Sequence, residues 1–419
     1  MFLLLIVADE ERQVRYATVV AVLFPLPVLL FSPLAGYFAD RFSKHRVLLS
    51  ARIPELVAMT LASLGFYLSS IPILFSALFF KATSKTLFSP AFYGILPEIL
   101  DDSQISAGNG VLELGTDLAA FGGSILGAYA FSHFEPHLHY AGLMFLAISG
   151  FGVIAILLVP RAPAGNREAM FAWNAFSSLR RDYVEVRGNP TLYYVLIGIA
   201  WYGLIASFFA ASIPVFGRSA LHIRGEDVGL MMALFSIGLG FGATVAGQLS
   251  HQHVELGLVP IGSIGITIFA LLVAFSGAGP LLPVLHLPRD TTIGLVLLGL
   301  STGLFMVPLY AMLQQRAPVG KKGRFVAFSN ILRFGAVMLA ATVPWILHSA
   351  LGSNIRQSIL LVSIATLGAT VYVIFKLPDF LSRLLVWILP WLLATVRRLN
   401  RCVGRRRLHQ RKPTSASSG

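Results

Sequence analysis

"SPLAGYFADRFSKHRVLL", Ser32 to Leu49, sets a short knot of charge between two apolar runs. Asp40, Arg41, Lys44, His45 and Arg46 follow Gly36 in close order, while the twelve residues ahead of the stretch carry no charge. A charged connection between two segments long enough to cross a bilayer reads as a loop at a membrane surface. The rest of the chain repeats this pattern.

The composition agrees. The 419 residues are 56% hydrophobic and only 12% charged, with a mean hydropathy of +0.76. A soluble chain carries roughly 25% charged residues. The net charge of +13 does not indicate nucleic acid, because ten of the 32 bases lie between Lys376 and Lys412 and most others sit in short connections. Bases beside membrane spans act as topology signals. The single cysteine, Cys402, excludes an intramolecular disulfide; a Cys beside a membrane helix can carry a palmitoyl group, and a lone one is weak support for that.

Apolar spans fall at 15–39, 47–68, 72–97, 106–132, 139–159, 190–216, 227–250, 255–277, 291–314, 325–348 and 355–375. Each approaches the ~20 residues that a transmembrane helix requires. Ahead of them "MFLLLIV", Met1 to Val7, is too short to cross and reads as the last two turns of a further helix whose beginning is missing. The expected fold is therefore an all-α membrane protein of 6+6 helices with the first only partly present.

The bases divide the connections into two sets. Loops at 40–46, 160–189 and 314–324, with the tail, hold most of them; the opposite set has scattered ones such as Arg12, Arg218 and Arg289. The positive-inside rule makes the first set cytoplasmic. Residues 1–160 form an N-terminal half-bundle, 161–189 a cytoplasmic linker, and 190–376 a C-terminal six-helix half-bundle. Weak self-similarity between "LAGYFADRFSKHR" (34–46) and "VAGQLSHQHVELG" (245–257) supports the division. Residues 377–400 read as an interfacial helix, being apolar over about 13 residues, broken by Pro390 and flanked by bases. Residues 401–419 read as a basic disordered tail.

The spacing Gly36-x-x-x-Asp40-Arg41-x-x-Lys44-x-Arg46 resembles the signature of the major facilitator superfamily, between its second and third helices. Ser43 stands where that signature usually has glycine. Glycine permits close helix contact. Asp40 is placed to cap the positive N-terminus of the eleventh helix, near Arg324 to Val326, and Arg41 to pair with a carboxylate such as Glu98. Gly36, Asp40, Arg41, Lys44 and Arg46 are then a gate latch between the halves; the plainer reading is a positive-inside loop.

Longer phrases resemble a narrower group. "SPAFYGILPEIL" (89–100), "GNGVLELGT" (108–116), "ALFSIGLGFGATVAGQLS" (233–250), "VELGLVPIG" (254–262) and "GLFMVPLYAMLQQRAPVGKKGR" (303–324) look like the lysophospholipid transporter family of bacterial inner membranes. That resemblance implies a secondary transporter flipping lysophospholipids, such as lysophosphatidylethanolamine, between leaflets. It also implies a multi-pass inner-membrane protein with a cytoplasmic C-terminus, membrane lipids around it and an acyltransferase as a possible partner. A monomer without cofactor, metal or nucleic acid is expected. The family's acidic motif in the first helix is absent, and the chain resembles the transporter portion of transporter–acyltransferase fusions, shortened at both ends.

Charges deep in spans are costly and mark function by default. Lys81 and Lys85 share a face of the fourth helix, and Glu113 and Asp117 a face of the fifth. Glu55 and Arg333 complete the set. A base for phosphate and an acid for ammonium would suit a zwitterionic headgroup; pairwise structural bridges explain the first four equally well. Asn109, Asn330 and Tyr93 are weaker candidates.

"HIRGED", His222 to Asp227, matches the H-x-x-x-x-D pattern of glycerolipid acyltransferases, in which the carboxylate orients His as general base. It lies in a short outer loop with no second catalytic block, so it reads as a loop, and the chain as no enzyme. Two rivals remain at this point: a facilitator exporting amphipathic drugs, and a non-transporting remnant or scaffold.

Overall fold

The computed structural model describes residues 23–134, 137–161, 175–222, 225–250, 254–277, 287–318 and 320–376, with Val19 and Glu168. The short segment 1–7 and the interfacial helix expected at 377–400 lie outside the described residues.

The described elements are helices. The first half holds α1 (Leu26–Arg41), α2 (Lys44–Tyr67), α3 (Ile71–Gly94), the short α4 (Leu96–Ile99), α5 (Ile105–Phe134) and α6 (His139–Leu157). The linker forms α7 (Ala175–Arg187). The second half holds α8 (Pro190–Ala220), α9 (Gly225–Leu249), α10 (Leu258–Phe275), α11 (Arg289–Arg316), α12 (Lys322–Leu351) and α13 (Ile355–Lys376). Among the described residues, nine helical stretches are long and apolar enough to cross a membrane.

Local chemistry explains the boundaries. Asn189 accepts from Leu192 N at 3.2 Å and Pro190 follows it, which starts α8 with a capped first turn. Pro97 separates α3 from α4 without ending the span. The expected span 15–39 is not one helix: a turn at Phe24 and Pro25 precedes α1, since Pro25 and Pro27 each lack a backbone donor. Several helices run past their apolar limits into charge, as at Lys44 and Lys322. Hydropathy registers where water begins, not where helical hydrogen bonding stops.

Within the first half α2 packs on α3 and α6; within the second α11 packs on α9 and α10. The halves meet along α5 against α9 and α1 against α12. Small residues bring these backbones together. A Cβ on Gly247 would lie 2.9 Å from Ala107 Cα, and one on Gly36 would lie 2.9 Å from Arg324 Cα. Without a solvophobic force between helices in lipid, such close van der Waals packing holds a seam.

These approaches lie at one end of the bundle, the end that carries residues 40–46, the linker helix and 314–324. Toward the other end α5 exposes Leu118 and Leu126, and α12 exposes Met338 and Leu339. Among the described residues, the contacts between halves run from mid-depth to the basic end. Among the described residues, the bundle is shut at its basic end and the halves part toward the opposite one.

Candidate substrate cavity and gate

At the basic rim, both carboxylate oxygens of Asp40 accept backbone donors from the first turn of α12: Gly323 N at 2.7 Å and Arg324 N at 2.9 Å. The first amides of a helix have no intrahelical partner, and an anion there also meets the positive end of the dipole. Asp40 is buried, and Gly323 leaves room for its side chain. Gly36, one turn before Asp40, admits α12 to the same spot.

The other rim residues divide differently from expectation. Glu98 takes Lys44, at 2.9 Å, and not Arg41. Lys44 is fully buried and also donates to Ala39 O near the end of α1. A lysine at the first position of α2 opposes the helix dipole; here it is held by a carbonyl at the end of one helix and an acid from another. The Arg41 guanidinium lies 5.9 Å from the Tyr37 ring centroid. Arg46 is exposed.

Above the rim, two further layers join the halves. Asn109 on α5 and Gln314 on α11 exchange reciprocal amide hydrogen bonds of 2.8 and 3.0 Å, both buried. One turn deeper, Tyr93 on α3 stacks on Tyr310 of α11, with centroids 5.2 Å apart. Helical spacing dictates this order, because Gln314 is four residues from Tyr310 and Asn109 four from Glu113. Gln315 adds a bond to Asp102 O at 3.0 Å.

Deeper still lie the intramembrane charges. At 1.5 Å per residue, Glu113 is about 12 Å from the start of α5, Arg333 about 17 Å from the start of α12, and Lys85 about 21 Å from Ile99. Glu113 is buried and accepts from the Tyr93 hydroxyl at 2.6 Å. Lys85 is exposed although Ser84 and Thr86 beside it are buried. Its ammonium feels Glu113 and Arg333 and lies 5.6 Å from the Phe24 ring. It therefore points between the halves. Gly203 on α8 gives room for the Arg333 stem, since a Cβ there would come within 2.6 Å of Arg333 Cγ. Arg333 faces Tyr310, Tyr93, Tyr202 and Glu113 electrostatically. Asn330, one turn nearer the rim, donates to Ser89 at 2.9 Å.

The six candidates do not form one lining. Lys81 turns to Glu55 on α2, which also takes Arg52 at 2.5 Å and lies 3.5 Å from Ser149 of α6. This is a bridge within the first half, and Arg52, which sequence reasoning passed over, is part of it. Gly152 leaves space for the Arg52 guanidinium. The Asp117 side chain lies outside the described residues. Lys85, Glu113 and Arg333 remain together at mid-depth. Tyr310 and Gln314 were also missed, because a Tyr or Gln in an apolar span carries no pattern of its own.

The linker helix bears on the rim. It packs on α1, α8 and α12, so it straddles the seam. Arg324 meets Asp182 at 2.6 Å and pairs with Glu185, which also holds Lys321 at 2.7 Å. Burial pushes the Asp182 carboxyl up to about 6 against the pull of Arg324. Glu185 is held below its ordinary value by Lys321 and Arg324, which outweigh its burial.

On the outer flank of the second half, Tyr194, Ile197, Trp201, Val259, Phe305 and Tyr372 line an almost wholly apolar cleft.

Two helical half-bundles shut at one end over an intramembrane charge cluster define a polytopic membrane transporter. The chain belongs to the Major Facilitator Superfamily, whose family model matches residues 6–341. Its similarities are more particular than that. It is 28% identical to the lysophospholipid transporter LplT of Photorhabdus laumondii over 324 residues, covering 75% of each chain. It is 28% identical to LplT of Klebsiella pneumoniae over 329 residues, covering 77% of each. The fold matches the transporter FucP in its outward conformation, with TM-score 0.68, 12% identity and coverage of 88% of this chain and 91% of that one. A bacterial homologue of ferroportin matches with TM-score 0.63 and 14% identity, over 91% and 92% of the two chains.

Proposed function

We propose that this protein is a secondary transporter that flips lysophospholipids, such as lysophosphatidylethanolamine, across a bacterial inner membrane by alternating access. The carrying observation is the cluster of Lys85, Glu113 and Arg333 at mid-depth, between two half-bundles that, among the described residues, meet on the basic side. The similarity to LplT over three quarters of the chain supports the cargo.

The chemistry suits a zwitterion. A guanidinium and an ammonium attract a phosphodiester, and a carboxylate attracts the amine; in a low-dielectric site each contact is stronger than in water. The basic end is cytoplasmic by the positive-inside rule, so the shut end faces inward and the parted end receives lipid from the outer leaflet. Rocking the halves would separate Asp40 from α12, then Asn109 from Gln314 and Tyr93 from Tyr310, releasing the headgroup inward. The flank cleft offers an acyl chain an apolar surface outside the polar track.

Reconstituted full-length protein should move labelled lysophosphatidylethanolamine between leaflets. Arg333→Gln or Asp117→Asn should reduce that movement at least tenfold. Normal flipping with both changed would overturn the site assignment. Protection by amphipathic drugs but not by lysolipid would favour the exporter reading.

A further inference from the structure

Two donors at the heart of the second half have nothing to bond. The Tyr310 hydroxyl and Arg333 Nε are both buried and neither has a hydrogen-bond partner. Tyr310 is only 1% exposed. A phenol or guanidinium nitrogen withdrawn from water and left unpaired costs free energy, and native structures seldom leave one so. Tyr310 lies near the Arg333 guanidinium.

The arrangement is asymmetric. Across the stack, the Tyr93 hydroxyl is satisfied by Glu113 at 2.6 Å. Its stacked counterpart on the second half is not. Both orphans are donors or can be, and an anion with several acceptor oxygens is what would satisfy them together. A phosphodiester oxygen fits best, because its charge strengthens both bonds; an ammonium has no lone pair to offer, and a neutral hydroxyl accepts without that charge assistance.

We infer that Tyr310 is a specificity-determining residue: its hydroxyl and Arg333 Nε together bind a phosphate oxygen of the headgroup once the Tyr93–Tyr310 stack parts. This rests on the lysolipid reading above and adds a residue and a sequence of events to it. Lys85 and Arg333 attract the phosphate from the parted side. The phosphate then takes up the two unpaired donors, which favours the state in which Tyr310 has left Tyr93. Cargo without an anionic oxygen supplies less of that differential binding, so it shifts the gate less.

Tyr310→Phe deletes only the hydroxyl and keeps the ring that stacks on Tyr93. The full chain is reconstituted in phosphatidylcholine vesicles, and the concentration dependence of lysophosphatidylethanolamine flipping is measured for the wild type, Tyr310→Phe, Arg333→Lys and the double variant. Competition by a monoacylglycerol of the same chain length reports recognition that owes nothing to phosphate. The expected result is a KM for the lysolipid raised about tenfold by Tyr310→Phe, the worth of one charge-assisted hydrogen bond. The double variant should lose less than the product of the single losses, because both groups hold one phosphate. Competition by the monoacylglycerol should not change.

An unchanged KM in Tyr310→Phe overturns the inference, as does strict multiplicativity of the two losses. Equal weakening of lysolipid and monoacylglycerol, with lowered thermal stability, would make Tyr310 a packing residue and also overturn it. Failure of the wild type to move lysolipid at all would instead sink the transport reading, and that outcome is distinct from these.

Discussion

Replacing Asp40 by Asn tests whether the shut end depends on one carboxylate. The perturbation is nearly isosteric. It leaves one oxygen to accept from the first turn of α12, turns the other acceptor into a donor, and removes the negative charge from the helix terminus. Two bonds, of 2.7 and 2.9 Å, are affected. A net hydrogen bond to a charged group contributes about 1.5–3 kcal/mol, and a charge at a helix end about 0.3–1 kcal/mol. The parted state recovers part of this, since water can satisfy the freed amides. A loss of about 1.5 kcal/mol for the shut state is reasonable, which is roughly tenfold in the equilibrium between shut and parted. Ser106 supplies the reporter. It is 1% exposed, its hydroxyl has no partner, and its backbone faces Gly247 across the seam. In a Cys402→Ser background, Ser106→Cys should react with a maleimide only when the halves separate at the basic end. Asp40→Asn should speed that reaction about tenfold, and Asp40→Ala more. An unchanged rate in both would refute the view that Asp40 holds the gate.

Glu55→Gln should lower thermal stability, by about 2–3 kcal/mol, because it strands Arg52 and Lys81; Lys85→Gln should cost far less, and a melting series in detergent compares them. Asn109→Ala should destabilise the shut state by leaving the Gln314 amide buried and unpaired, at about 1–3 kcal/mol; replacing both by Leu should recover most of the loss in the same maleimide assay. The linker helix should dock more firmly as pH falls from 7 to 5. Asp182 holds its proton to about 6 when docked against 3.8 when solvated, so lowering the pH from 7 to 5 favours docking by about 1.3 kcal/mol. Glu185, whose value docking lowers, works the other way below about pH 4. Hydrogen exchange over 175–187, corrected for intrinsic rates, should show protection rising toward pH 5 and flattened by Asp182→Asn; protection that falls instead would reverse the argument.

The amino-acid sequence by itself determined most of the architecture. A bilayer leaves no choice for a run of twenty apolar residues but to close its own backbone hydrogen bonds, so the spans were legible as helices from their length alone. The bases could be assigned to one end because their placement is a matter of loop parity. The Asp40 contact with the start of α12 was foreseeable from the resemblance to the superfamily signature, and the charge of a carboxylate beside a helix dipole explains it.

Pairing was decided only by the tertiary structure. Lys81 and Lys85 share a helical face in the sequence, yet Lys81 bends to Glu55 within the first half while Lys85 points between the halves. A long flexible side chain reaches partners on either side of its helix, and which one it finds depends on neighbouring helix positions that no local spacing encodes. Glu98 went to Lys44 for the same reason. The Tyr93–Tyr310 stack, the Asn109–Gln314 exchange and the unpaired donors of Tyr310 and Arg333 each need two helices from far apart in the chain to meet at one depth. Polar side chains within apolar spans acquire meaning only from what stands opposite them. The bilayer determines that each span is a helix, and only packing determines which residues face each other.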